Sequence, residues 1–127
     1  MREEASRLVR QADRDLENAD ANIGIRAYEV AAFLSEQAVE KYLKAMFIEV
    51  NRAPAPKSHD LMQLGRGLGA PEPTLKDLAY LTPDYTVSRY PNAANAVPYE
   101  IYDEETARSK VRAAQRVIEW LRSLIQR

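Results

Sequence analysis

Apolar residues recur at helical spacing along most of the chain. The densest such stretch, Val30 to Val50 (VAAFLSEQAVEKYLKAMFIEV), predicts the helix around which the rest packs. Tyr28, Ala31, Ala32, Ser35, Ala38, Val39, Tyr42, Leu43, Ala45, Met46 and Val50 share one broad face of it at ~100° per residue. The opposite face is polar but interrupted, because Gln37, Glu40, Lys41 and Lys44 sit beside Phe33, Phe47 and Ile48. A helix apolar over so much of its circumference belongs in a core or at a subunit interface.

Ahead of it, Ala5, Leu8, Ala12, Leu16, Ala19 and Ile23 form a narrow stripe on an otherwise charged segment from Glu3 to Ala21, which predicts an outer helix. Asn22 to Arg26, with Gly24 among them, read as a tight link, and so short a link favours an antiparallel hairpin. After Asn51, Pro54 and Pro56 forbid continued helix. Ser58 is suited to cap a short helix from His59 to Arg66 that stops at Gly67 and Gly69. Past Pro71 and Pro73, Thr74 and Asp77 make a capping-box-like start for a helix ending before Pro83. The next stretch, DYTVSRYPNAANAVPYEIYDEE, has no clean period and holds four of the seven tyrosines, with a helical turn expected from Tyr85 to Arg89.

The last helix starts near Asp103, where Asp103, Glu104 and Glu105 suit the positive helix end, and Arg122 and Arg127 suit the negative one. Ala107, Val111, Ala114, Ile118, Leu121 and Ile125 make one apolar stripe; Ala113, Val117, Trp120 and Leu124 make a second, a candidate subunit interface. No segment alternates with period two. The pattern therefore predicts an all-α fold, an antiparallel helical bundle of about five helices forming one domain over residues 1–127.

Composition narrows the chemistry. A formal net charge of −1 is not that of a globally basic nucleic-acid binder, although a local basic patch remains open. With no cysteine, thiolate metal sites and cysteine nucleophiles are excluded. One histidine excludes a multi-histidine metal site within one subunit, and no cofactor is expected. Neither a signal-peptide pattern nor an apolar run of membrane-spanning length is present, so the expected location is cytoplasmic with no membrane partner. No glycine-rich phosphate loop or nucleophile elbow is found.

The chain resembles the HEPN (higher eukaryotes and prokaryotes nucleotide-binding) domain family. The resemblance runs through Ala12, Leu16 and Ala19, FLSEQAVEKYLKA at Phe33 to Ala45, SHDL at Ser58 to Leu61, the Tyr85, Ser88, Arg89, Tyr90, Pro91 cluster and the last helix. It implies an all-α bundle that pairs as a homodimer or higher oligomer, often working beside a minimal nucleotidyltransferase in a toxin–antitoxin-like or defence system. Many relatives are metal-independent ribonucleases that use an arginine and a histidine separated by four to six residues and brought together across a dimer. Others bind nucleotide or RNA without cleaving it.

His59 is the sole imidazole, so any acid/base chemistry of that type must use it. Arg52, with six residues intervening, satisfies the family spacing, but the segment between holds two prolines; the alternatives are a solvated Arg52 and a packed His59. Arg89 lies between aromatic residues, where a planar guanidinium can hold phosphate or stack with Tyr85 or Tyr90. Its alternative is a structural pair with Glu40 or Asp60. Lys41 and Lys44 are further candidates for a nucleotide or RNA ligand, against a simple Glu40–Lys44 helix pair. Arg108, Arg112 and Arg116 form a basic stripe that reads first as a solvated face. Three function classes follow. They are a nucleotide- or RNA-binding module, a metal-independent endoribonuclease using His59 with Arg52 or Arg89, and a protein-docking partner with His59 buried and the Trp120 face exposed or covered.

Overall fold

The computed structural model describes residues 1–125, so Arg127 lies outside the described residues. Five helices of seven residues or more, and three segments of four, account for its regular structure; there is no strand among the described residues. The long helices are α1 (Glu3–Gly24), α2 (Tyr28–Asn51) and, last in the chain, α7 (Glu104–Ser123). Between α2 and α7 lie α3 (Leu61–Gly67), α4 (Glu72–Leu81), a 3-10 turn (Thr82–Tyr85), α5 (Pro91–Ala94) and α6 (Pro98–Ile101).

The α1–α2 hairpin rests on small residues at seven-residue spacing. Ala5, Ala12 and Ala19 on α1, and Ala31, Ala38 and Ala45 on α2, are all fully buried, so the two backbones pack closely. Arg2 N donates to Glu49 Oε1 across the open end of the hairpin, a contact that the antiparallel sense allows. The link between them turns at Arg26, whose φ of 62° is left-handed, and not at Gly24. Helix α7 completes the bundle: Val117, Ile118 and Leu121 join Val39, Leu43 and Met46 in the main core, while Ala107 and Val111 close a second cluster with Ala19, Ile23 and Ala31. Gly65 on α3 is buried; a Cβ there would stand 2.3 Å from Leu78 of α4, so a side chain would force the two short helices apart.

Several sequence expectations need correction. Both apolar stripes of α7 face inward: Ala113 and Val117 are fully buried and Trp120 packs partly buried on the core, so the second stripe is not a free interface. Val50, at the C-terminal end of α2, and Ile125, two residues beyond the end of α7, are exposed. Asp60, not Ser58, caps α3, accepting from the backbone N–H groups of Met62 and Gln63, so α3 starts at Leu61. Ser58 supports that cap by accepting from Asp60 N. Helix α4 begins at Glu72 with Pro73 in its first turn, a position where the missing donor costs nothing; Thr74 is buried, and Asp77 pairs with Arg116 instead of capping. The tyrosine-rich connection is more regular than its sequence suggests, since Pro91 and Pro98 each start a helical turn. No described helix is long and apolar enough to cross a membrane.

Candidate functional site

The middle of α2 and the segment after α4 build one polar and aromatic cluster. Proline at the second position of the 3-10 turn presets its φ, and the chain then continues through turns to Arg89, with Val87 N donating to Pro83 O and Tyr90 N to Thr86 O. Ser88 Oγ donates to the Asp84 carbonyl, tying the turn to itself. This geometry presents Tyr85, Arg89 and Tyr90 together.

Arg89 is exposed, and its Cζ lies 4.6 Å from the Phe33 ring centroid, 4.7 Å from that of Tyr85 and 4.9 Å from that of Tyr90. Its Nε donates to the Tyr85 carbonyl at 2.8 Å, which fixes the plane of the guanidinium. Among the described residues it pairs with no carboxylate, so the alternative partners Glu40 and Asp60 do not hold it. The attraction of the rings positions the charge without neutralising it, and the terminal nitrogens keep donors for a phosphate.

His59 meets the same tyrosine. Its ring stacks on Tyr85 with centroids 4.5 Å apart and planes 19° apart, and its side chain is 55% exposed. Tyr85 is thus the common neighbour of His59 and Arg89. His59 Nδ1 lies 2.9 Å from Glu40 Oε1, and Glu40 Oε2 lies 3.3 Å from Lys44 Nζ. The Glu40–Lys44 pair expected on an exposed helix face is mostly buried and belongs to this cluster.

The remaining candidates fall elsewhere. Arg52 is the exposed left-handed C-cap of α2, twelve residues beyond Glu40 and so about 18 Å along the axis from the carboxylate that holds His59. Within one chain the two do not meet. Lys41 points across to α1, where it meets Asp15 at 2.5 Å. Arg108 pairs with Glu104 and Arg116 with Asp77, which breaks up the basic stripe of α7. A hollow of about 470 Å³ between α1, α2 and the proline loop is lined by Leu8, Ile48, Pro54 and Ala55. Its cations are already paired, Arg7 with Glu3 and Lys41 with Asp15, so it lacks the free charge of the Arg89 cluster. No group of three acidic or histidine side chains among the described residues is arranged to hold a metal ion.

Beneath the surface cluster lies a buried ionic layer that sequence reasoning missed. Asp84 accepts from the Tyr102 hydroxyl at 2.5 Å, and Lys110 Nζ stands 2.7 Å from its other oxygen while donating to the Tyr80 carbonyl at 2.6 Å. The Lys110 ammonium also lies 3.6 Å from the Tyr80 ring centroid. Burial, with the hydrogen bond to Asp84, pushes the Tyr102 phenol far above its usual range. Glu36 is fully buried one helical turn before Glu40; Oε1 accepts from Gln37, and Oε2 has no partner. Burial foremost, with Glu40 and Asp84 adding repulsion, raises its pKa to about 8. Two sequence signals mark this layer. Glu36 and Glu40 are like charges at i,i+4 on a mostly apolar helix, and Lys110 falls on the apolar arc of α7 beside Ala107, Val111 and Ala114.

No curated protein matches the chain. Among solved structures, TT1696 from Thermus thermophilus superposes with a TM-score of 0.85 at 25% identity, covering 96% of this chain and 98% of that one. ST0689, described as an archaeal HEPN homologue, superposes with a TM-score of 0.81 at 30% identity, covering 98% and 99%. The family model of the HEPN domain matches residues 5–124, and the chain belongs to that family.

Proposed function

We propose that the chain is a nucleotide- or RNA-binding module whose ligand lies on the ledge formed by His59, Tyr85, Arg89 and Tyr90. Pairing of two copies, and work beside a minimal nucleotidyltransferase in a toxin–antitoxin-like or defence system, are part of the same proposal and rest on family membership. The observation that carries it is Arg89, an exposed guanidinium oriented by three aromatic rings and free of any carboxylate among the described residues. Such an arrangement can hold a phosphate while Tyr90, half exposed, offers a face to a base. Arg89→Ala is expected to weaken retention of single-stranded RNA by about 10- to 100-fold, the worth of charge-assisted hydrogen bonds. Arg89→Lys recovers only part of this, because an ammonium keeps the charge but not the planar fork. Fluorescence anisotropy measures both, and wild-type affinity in Arg89→Ala would remove the ledge as the ligand site.

The contact between His59 and Glu40 favours a second reading, a metal-independent endoribonuclease. In it His59 moves the proton and Arg89 holds the scissile phosphate, with Arg52 available only from another subunit. RNA incubated in chelator separates the two: fragments that disappear in His59→Ala support the nuclease, while retention without fragments supports the binding module. The exposure of His59 and the packing of Trp120 on the core run against a protein-docking role.

A further inference from the structure

Glu40 touches two partners at once, and their chemistry fixes its own. Lys44 has only donors to offer, so Oε2 accepts; the ion pair keeps the group a carboxylate, and Oε1 then also accepts. His59 Nδ1, 2.9 Å away, must be the donor. A neutral imidazole has one donor and one acceptor nitrogen, so the proton held on Nδ1 leaves Nε2 as an unprotonated lone pair. The ring is half exposed, and Nε2 has no hydrogen bond among the described residues. Stacking on Tyr85 fixes the ring plane, and with it the direction of that lone pair.

We propose that Glu40 is a positioning residue that holds His59 in the Nδ1–H tautomer, so that Nε2 selects ligands presenting a hydroxyl hydrogen: ribonucleotides over deoxyribonucleotides. The inference rests on the nucleotide-binding reading of the ledge. On that ledge Arg89 donates only and suits phosphate, whereas a bare Nε2 accepts only and is repelled by phosphate oxygens. The two groups therefore divide the ligand between them. The sugar 2′-hydroxyl is the donor that distinguishes RNA from DNA. A free histidine side chain in water prefers the opposite tautomer, so the selectivity comes from Glu40 and not from imidazole itself.

Because the chain has one histidine, its ring nitrogens can be read without ambiguity by long-range proton–nitrogen NMR at a pH where the ring is neutral. The expected wild-type spectrum shows a protonated Nδ1 and an unprotonated Nε2. In Glu40→Gln, Lys44 retains the amide oxygen, the amide NH₂ faces Nδ1, and the tautomer reverses. Matched single-stranded ribo- and deoxyribo-oligonucleotides then read the consequence: wild type prefers the ribo strand by about fivefold, the worth of one net hydrogen bond, and Glu40→Gln does not. His59→Phe keeps a ring on Tyr85 but has no Nε2. It should bind both strands equally. A wild-type Nε2–H tautomer, equal wild-type affinity for the two strands, or a ribo preference that survives in His59→Phe overturns the inference. Failure of wild type to bind either strand instead overturns the ledge reading beneath it, with the tautomer still visible in the spectrum.

Discussion

Replacing Glu36 with glutamine is expected to stabilise the protein at pH 9 by on the order of 3–5 kcal/mol relative to wild type, while changing little at pH 4. Glu36 sits fully buried on α2 with one oxygen unpartnered, and burial together with Glu40 and Asp84 raises its pKa from the ordinary value of 4.5 to about 8. Between those values the folded chain holds a proton that the unfolded chain has released. The folded state thus binds more protons, and stability falls as pH rises, by about 1.4 kcal/mol per pH unit. Its contribution is greatest below the unfolded value and is lost as pH passes through about 8. Glutamine has the same shape and no proton to lose. Urea denaturation of both proteins from pH 4 to 9 measures the difference, and parallel pH profiles would show that Glu36 does not carry a buried proton.

Lys110→Met is expected to cost about 3–5 kcal/mol, because it leaves Asp84 charged and buried without its cation. Asp84 is 2% exposed and Lys110 6%, and the Tyr102 hydroxyl alone cannot replace an ammonium at 2.7 Å. The loss also reaches the ledge: Asp84 directly precedes Tyr85, and its carbonyl accepts from Ser88 within the same turn. RNA affinity should therefore fall with stability, although Lys110 lies beneath the ledge. Adding Asp84→Asn to Lys110→Met is expected to recover much of the stability by removing the stranded charge, a coupling that a double-mutant cycle on denaturation midpoints measures. Additive effects of the two substitutions would mean that the pair is not a unit.

The helices were legible because burial and helical period coincide along them. Ala5, Ala12 and Ala19, and Ala31, Ala38 and Ala45, mark the faces that meet, and every one is buried. Boundaries were less so. Asp60 and Ser58 are both good capping residues two positions apart, and only the backbone geometry chooses Asp60. The second stripe of α7 looked free because its neighbour, α4, is short and its contribution to the core cannot be read from α7 alone. Residue type singles out His59, Tyr85, Arg89 and Tyr90 as candidates, and the structure places them side by side. Arg52 fitted a spacing, but the helix rise carries it away from His59 within the chain. The sequence offers Glu40 as half of a helix pair with Lys44 or as a partner of Arg89, and the structure shows only the first of these. That it also reaches across nineteen positions to His59 is a tertiary fact with no local signature.

The most direct test of the ledge is a titration of isotopically labelled protein with single-stranded RNA, following the ring resonances of His59 and the Nε–H resonance of Arg89. These two are expected to move first and saturate together, with the α1 helix face around Arg10 and Arg14 unchanged. Shifts confined to α1 or to the solvent face of α7, with His59 and Arg89 unmoved at saturation, would contradict it.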